Sequence, residues 1–119
     1  MALSFRGGLH VRDFKGYTNS CEIKPLLPCG THIFPIEQHI GASLNVLVNV
    51  GDTVCVGQKL ADAEDYMAVP VHSSVSGTVK KIEKHPHPSG TMVTSVFVEN
   101  DNLYTPYEGI KPVKDISVL

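Results

Sequence analysis

Six histidines and three cysteines are the residues of this chain best suited to chemistry. His85 and His87 flank Pro86 in a stretch that also carries Lys80, Lys81 and Lys84, and two nearby imidazoles could ligate a transition metal. Zinc sites need three or four ligands, however, and a proline-rich loop offers only two, so a solvated turn is the plainer reading. His72 precedes Ser73 and Ser74, which raises nucleophilic hydrolysis. Adjacent strand residues point to opposite faces and no acid completes a triad, so that chemistry is set aside. Cys21, Cys29 and Cys55 are widely spaced and form no C-x-x-C pair, so neither a zinc knuckle nor an iron–sulfur ligand set can be read from them. They read as reduced thiols of a cytosolic protein, with a Cys21–Cys29 disulfide as the alternative. Gly7-Gly8 lacks the G-x-G-x-x-G pattern and opens no helix, so it reads as a flexible turn and not as a phosphate cradle. No catalytic residue, metal site or cofactor site is assigned within the chain.

The elements that must position these residues read as strands. His32 to Ile36 makes a short strand with Pro35 at an edge position. Leu44, Val46, Val48 and Val50 alternate with Ser43, Asn45, Leu47 and Asn49, the period of a half-buried strand. Gly51-Asp52 breaks that run, Val54 and Val56 resume it, and Gly57-Gln58 breaks it again. Further strands are expected over residues 59–63 and 69–72, through Val75, Gly77 and Val79, and over residues 91–99. A proline-rich turn falls at residues 85–90, and Asn100-Asp101-Asn102 closes the last strand. Short strands with turns every eight to twelve residues mean a sandwich or barrel. Residues 1–30 read as an irregular arm draped over the domain, 31–102 as the domain, and 103–119 as a linker toward a further domain.

At 119 residues one domain is natural, and it needs no staples to fold. The net charge of -2 argues against a nucleic-acid partner. No stretch approaches the roughly 20 apolar residues of a membrane span. Arg6, His10, Arg12 and Asp13 would interrupt a signal-peptide core, so secretion is not expected.

Two segments narrow the fold. Val50-Gly51-Asp52-Thr53-Val54-Cys55-Val56-Gly57-Gln58-Lys59-Leu60 is followed about twenty residues later by Val75-Ser76-Gly77-Thr78-Val79. The pattern resembles biotinyl and lipoyl carrier domains, which implies an all-β barrel-sandwich hybrid, a small flattened barrel. Glycines turn the chain, valines and Leu60 point inward, and Asp52 is expected to hydrogen-bond its own turn. A carrier attaches its swinging arm to a lysine at a hairpin tip, which falls here at Tyr66 or Met67. No lysine lies between Lys59 and Lys80, so there is no amine for an amide to biotin or lipoate.

Four more segments occur in order: Phe5-Arg6-Gly7-Gly8-Leu9-His10, Gln38-His39-Ile40-Gly41-Ala42, Val69 through Val79, and His85-Pro86-His87-Pro88-Ser89-Gly90. With the Gly51 to Leu60 run they resemble the N-terminal domain of the RnfC family, the C subunit of Rnf electron-transport complexes. The resemblance implies a peripheral, cytoplasmic subunit on the inner face of the cell membrane, held there by other subunits. It implies ion translocation coupled to electron transfer between ferredoxin and NAD. FMN, NADH and 4Fe-4S clusters would belong to the parent protein beyond this segment. The partners implied are the downstream flavin/nucleotide domain and the other subunits of the complex. Gln38, His39, Gly41, His72, Ser73 and Ser74 are the expected contact residues. His39 and His72 either face the following nucleotide domain or satisfy backbone groups at strand ends. A soluble relative serving an amino-acid reductase pathway, and a carrier-like module without its acyl-accepting lysine, stay open as alternatives.

Overall fold

In a computed structural model, residues 7–8, 11–27 and 30–111 are described. Valine-rich runs separated by glycine turns form seven antiparallel strands: β1 (Thr31–Pro35), β2 (Asn45–Val46), β3 (Thr53–Val54), β4 (Lys59–Asp62), β5 (Val71–His72), β6 (Gly77–Pro86) and β7 (Met92–Asn100). They make a four-stranded sheet in the order β1-β7-β6-β3 and a three-stranded sheet in the order β2-β4-β5. One short 3-10 helix, Lys15–Tyr17, is the helix among the described residues. The chain is thus an all-β barrel-sandwich hybrid.

The core lies between the sheets. Val54, Val79, Val96 and Val98 enter it from one sheet and Leu60 from the other, each at most 1% exposed. Val75, from the segment joining β5 to β6, is buried among them. Burying one such side chain is worth about 1.5–3 kcal/mol.

Two bulges adjust strict alternation. Leu60 is the extra residue between the pairs Lys59↔His72 and Ala61↔Val71, so Leu60 and Ala61 are both buried. A second irregularity between Val79 and Lys81 leaves Lys80 and Lys81 both facing solvent before Ile82 turns back toward the core. Such bulges add twist, which curls a short sheet toward closure. Gly77 begins β6 where the backbone of β7 passes so close that a Cβ would overlap the Glu99 carbonyl oxygen. Only glycine fits that crossing.

Several boundaries differ from those expected. The run from Leu44 to Val50 keeps its alternating burial through Val48, but the strand is confined to Asn45 and Val46, with Leu47 N–H adding a bond to the Leu60 carbonyl (2.9 Å), and Val50 is exposed. The strand expected over 69–72 is Val71–His72, and that over 59–63 ends at Asp62. The turn expected over 85–90 is tighter, because His85 and Pro86 pair with Val93 and Met92. His87 to Gly90 alone reverse the chain, with His87 N–H donating to the Thr91 carbonyl (2.9 Å). Pro86 is tolerated because it is the last residue of its strand.

The described residues of the arm, 7–8, 11–27 and 30, are all exposed, so they do not drape over the domain as expected. Its apolar side chains Ile23 and Leu26 find no neighbouring surface and stand in solvent. Cys29, and with it the Cys21–Cys29 alternative, lies outside the described residues, as do Phe5, Arg6, Leu9 and His10 and the stretch 112–119.

At the other end, residues 103–110 return to the barrel. Val56 N–H donates to Thr105 (2.8 Å), Tyr107 N–H to Val56 (2.9 Å), and Val56 forms a parallel bridge with Pro106. Tyr104 packs on the core and Ile110 lies over Gly57. This part of the stretch read as a linker is therefore ordered against the domain.

Candidate functional site

Most of the residues expected to make contacts gather at one end of the sandwich. Phe34 of β1, Gln38 and His39 of the β1–β2 loop, and Val71, His72 and Ser74 of and beyond β5 border a cleft of about 390 Å³. Val69 and Pro70, from the β4–β5 hairpin, complete its wall. The cleft lies between strands β1 and β5, each at the edge of its sheet.

The loop is held at both ends. Gln38 Nε2 donates to the Pro35 carbonyl (2.9 Å) at the end of β1. His39 Nε2 lies 3.1 Å from the Met67 carbonyl oxygen and 3.3 Å from the Val69 amide nitrogen. One ring nitrogen cannot donate and accept together: protonated it donates to Met67, and bare it accepts from Val69. Either tautomer ties the loop to the hairpin. His39 Nδ1 is buried without a partner among the described residues. Ala42 N–H also donates to the Met67 carbonyl (3.2 Å), and Gly41 packs so tightly on that carbonyl that a Cβ would overlap it. Gly41 thus sets the contact and does not line the cleft.

His72 directs Nδ1 to the Gly57 carbonyl at 2.6 Å, joining β5 to the turn before β4. Both imidazoles therefore bond backbone, one of the two readings the sequence allowed. Ser73 is buried, with its hydroxyl donating to the Val75 carbonyl (2.6 Å), whereas Ser74 is exposed. With the Ser73 hydroxyl and His72 Nδ1 both turned to backbone carbonyls, no nucleophile–base pair forms between them.

The hairpin tip falls at Tyr66 and Met67. Asp65 organises it, accepting from Met67 N–H through Oδ1 (2.9 Å) and from Ala68 N–H through its carbonyl (3.1 Å). Tyr66 is 98% exposed and Ile40, across the His39 tie, is 99% exposed. Sequence reasoning inspected the tip only for a lysine and so missed these two exposed side chains. Two uncharged residues at the outermost turn were the available signal.

A second cleft of about 580 Å³ adjoins the first through His72 and is bordered by Leu47, Gln58, Lys59, Tyr107 and Ile110. Near it, Asp62 accepts from Lys59 Nζ (2.6 Å) and from Ala63 N–H (2.9 Å); the lysine first, then the amide, hold its carboxyl below the usual range. Asp101 is likewise held low, by the Ser76 hydroxyl (2.7 Å) first and then by the Leu103 amide (2.8 Å). The bond between Ser76 and Asp101 was not legible in the sequence, since the two partners lie 25 residues apart.

The donor set does not fit the redox groups implied for the parent. A four-iron cluster takes four thiolates, and the chain has three cysteines. Among the described residues, no group of three or more His, Cys, Asp or Glu side chains converges as a metal would require. The 3-10 helix of three residues offers no helix N-terminus of the kind that cradles a flavin or dinucleotide phosphate.

These features define a class: an all-β barrel-sandwich hybrid with no lysine at the tip of its β4–β5 hairpin. The family described as "RnfC Barrel sandwich hybrid domain" matches residues 3–103. Over 113 residues the chain is 40% identical to the C subunit of the Na(+)-translocating ferredoxin:NAD(+) oxidoreductase complex of Acetobacterium woodii, covering 92% of this chain and 25% of that protein. It is 36% identical over 118 residues to the C subunit of an ion-translocating oxidoreductase complex of Haemophilus influenzae, covering 97% of this chain and 18% of that protein. It is 36% identical over 111 residues to the C subunit of the proton-translocating ferredoxin:NAD(+) oxidoreductase complex of Clostridium ljungdahlii, covering 92% and 24%. The chain belongs to the RnfC barrel sandwich hybrid domain family. It spans a quarter or less of the length of these relatives.

Proposed function

We propose that the chain is a non-catalytic docking domain of the RnfC subunit of an ion-translocating ferredoxin:NAD oxidoreductase. It holds the flavin- and nucleotide-binding part of the same polypeptide in register with the other subunits. Residues 38–42 and 71–76 supply the contacts, with Gln38, His39, His72 and Ser74 at the surface of the cleft. Gly41 and the buried Ser73 set the backbone shape beneath them. FMN, NADH and 4Fe-4S clusters are carried elsewhere in the parent, on the cytoplasmic side of the membrane.

One observation carries the docking role: large apolar side chains stand almost fully in solvent around a barrel whose core is already complete. Ile40 and Tyr66 are 99% and 98% exposed beside the cleft, while Val54, Leu60 and Val98 are fully buried. Exposed apolar side chains beside a loop that is tied to the hairpin backbone are available to a partner surface, which supports the reading.

The test is to remove residues 31–102 from the full-length subunit. Assembly with the other subunits and coupled electron transfer are expected to fail, while the truncated protein keeps its flavin, its clusters and NADH oxidation by a soluble acceptor. Normal assembly and coupling without the segment would refute the reading, and so would loss of flavin or clusters from a truncated protein that otherwise remains folded.

A further inference from the structure

The cleft of about 390 Å³ is selective in the hydrogen-bonding groups it offers. His72 Nδ1 lies 2.6 Å from the Gly57 carbonyl, an oxygen that only accepts. Nδ1 therefore carries a proton, and the neutral ring leaves Nε2 bare as an acceptor. Gln38 donates its amide nitrogen to the Pro35 carbonyl (2.9 Å), which leaves Oε1 to face a ligand, again as an acceptor. Ser74, exposed on the same border, can accept through its hydroxyl. His39 adds nothing, since Nε2 is engaged at the hairpin and Nδ1 is buried. Backbone carbonyls of the domain itself thus set both His72 and Gln38 as acceptors.

Charge narrows the occupant further. Among the described residues, no Lys or Arg borders this cleft. Lys59, the cross-strand partner of His72, borders the second cleft instead and is paired with Asp62 at 2.6 Å. The loop and the hairpin that wall the first cleft carry exposed Glu37, Glu64 and Asp65. Acceptors held in place beneath a negative surround match a cation with several donors. Arginine is that group: its planar fork has five N–H donors and no acceptor, so one side chain serves several acceptors together. Its methylene stem suits an apolar wall such as Val69 and Pro70. A lysine ammonium is a compact, strongly hydrated point charge and gains less from the same acceptors.

We infer that this cleft takes an arginine side chain from another subunit of the complex. The guanidinium donates to His72 Nε2, Gln38 Oε1 and the Ser74 hydroxyl, and its stem lies along Val69 and Pro70. The described end of the chain passes elsewhere: Ile110 lies over Gly57 and borders the second cleft, so the first stays open to a neighbour. The inference rests on the docking reading and names the partner group that the reading lacks.

The experiment titrates the isolated full-length subunit, its histidines labelled with carbon-13, with Nα-acetyl-arginine amide while the His72 ring signal is followed. A saturating shift is expected with this probe, binding about tenfold weaker with the lysine analogue, and no shift with the neutral citrulline analogue. Ser74 is exposed, so its substitution leaves the core intact. Ser74→Lys is expected to weaken the arginine probe about tenfold and Ser74→Asp to tighten it, a change of sign that a structural role would not give. In the assembled complex the cleft is filled, so the probe no longer shifts His72, and less of the Ser74→Lys subunit than of the Ser74→Asp subunit is recovered with its partners. Equal response to the three probes, equal effects of the two variants, or probe access unchanged by assembly overturns the inference. A cleft already closed to the probe in the isolated full-length subunit overturns it too, because the occupant would then be intramolecular. Each of these leaves the docking reading standing, whereas normal assembly without residues 31–102 removes that reading itself.

Discussion

Ser76 shows how one hydroxyl can organise the end of a barrel. It is buried, donates to Asp101 Oδ1 (2.7 Å) and accepts from Thr105 N–H (3.0 Å), so it holds the exit of β7 and the returning segment together. Ser76→Ala leaves the Thr105 amide without its partner and is expected to cost about 1–3 kcal/mol in urea unfolding. The acid limb of the stability curve provides a second readout. The folded carboxyl of Asp101 titrates below its unfolded value, so its contribution is complete above the unfolded value and is lost as pH falls through the folded one. Ser76→Ala removes the largest cause of that depression. Melting temperature followed from neutral into the acid range should therefore fall less steeply in the variant than in the wild type.

At the scale of elements, the bulge in β4 places Leu60 and Ala61 in the core together. Leu60 is completely buried among valines of both sheets, and Leu60→Ala is expected to destabilise the domain by about 2–5 kcal/mol. Leu47, one strand away in sequence, is 54% exposed, and its change to alanine should stay within roughly 0.5 kcal/mol. Equal losses at the two positions, measured as shifts in urea midpoint at constant slope, would contradict this packing. The long β6–β7 ribbon has its own clasp on the outer face. Lys81 Nζ sits 4.3 Å above the centre of the Phe97 ring, and His85 meets that ring edge-on at 5.7 Å. Lys81 also pairs with Glu83, and Lys80 with Glu99, so two of the three lysines around the bulge are neutralised locally.

For the molecule as a whole, the returning segment matters as much as the strands. Ending the chain at Asn102 deletes the bonds of Thr105 and Tyr107 to Val56 and Ser76 and uncovers Val56. Relative to a chain ending at Lys111, that truncation is expected to lose about 2–3 kcal/mol, some 1 kcal/mol for each of three hydrogen bonds. Thermal unfolding of the two lengths checks it, and identical midpoints would mean the segment is not part of the folded unit. Away from it, residues 38–42 and the tip of the β4–β5 hairpin meet through the Met67 carbonyl, and that junction underlies the docking proposal.

The local signals in the sequence held up where the governing force is local. Period-two valines marked the buried positions Val54, Val79, Val96 and Val98 because a strand alternates its faces. Asp52 bonds its own turn, accepting from Asn49 N–H at 2.8 Å, as an Asp beside a turn glycine does. The absence of a lysine at Tyr66 and Met67 was plain from the order of residues. Tertiary structure alone decided the rest, because it depends on which distant backbones meet. Val79-Lys80-Lys81-Ile82 breaks alternation and becomes interpretable only as a bulge against β7. The tail looked like a linker because its proline-bearing, polar composition hides the pairing with Val56 across 49 to 51 residues. The tie between His39 and the hairpin spans 28 residues, so no local pattern in the sequence announces it.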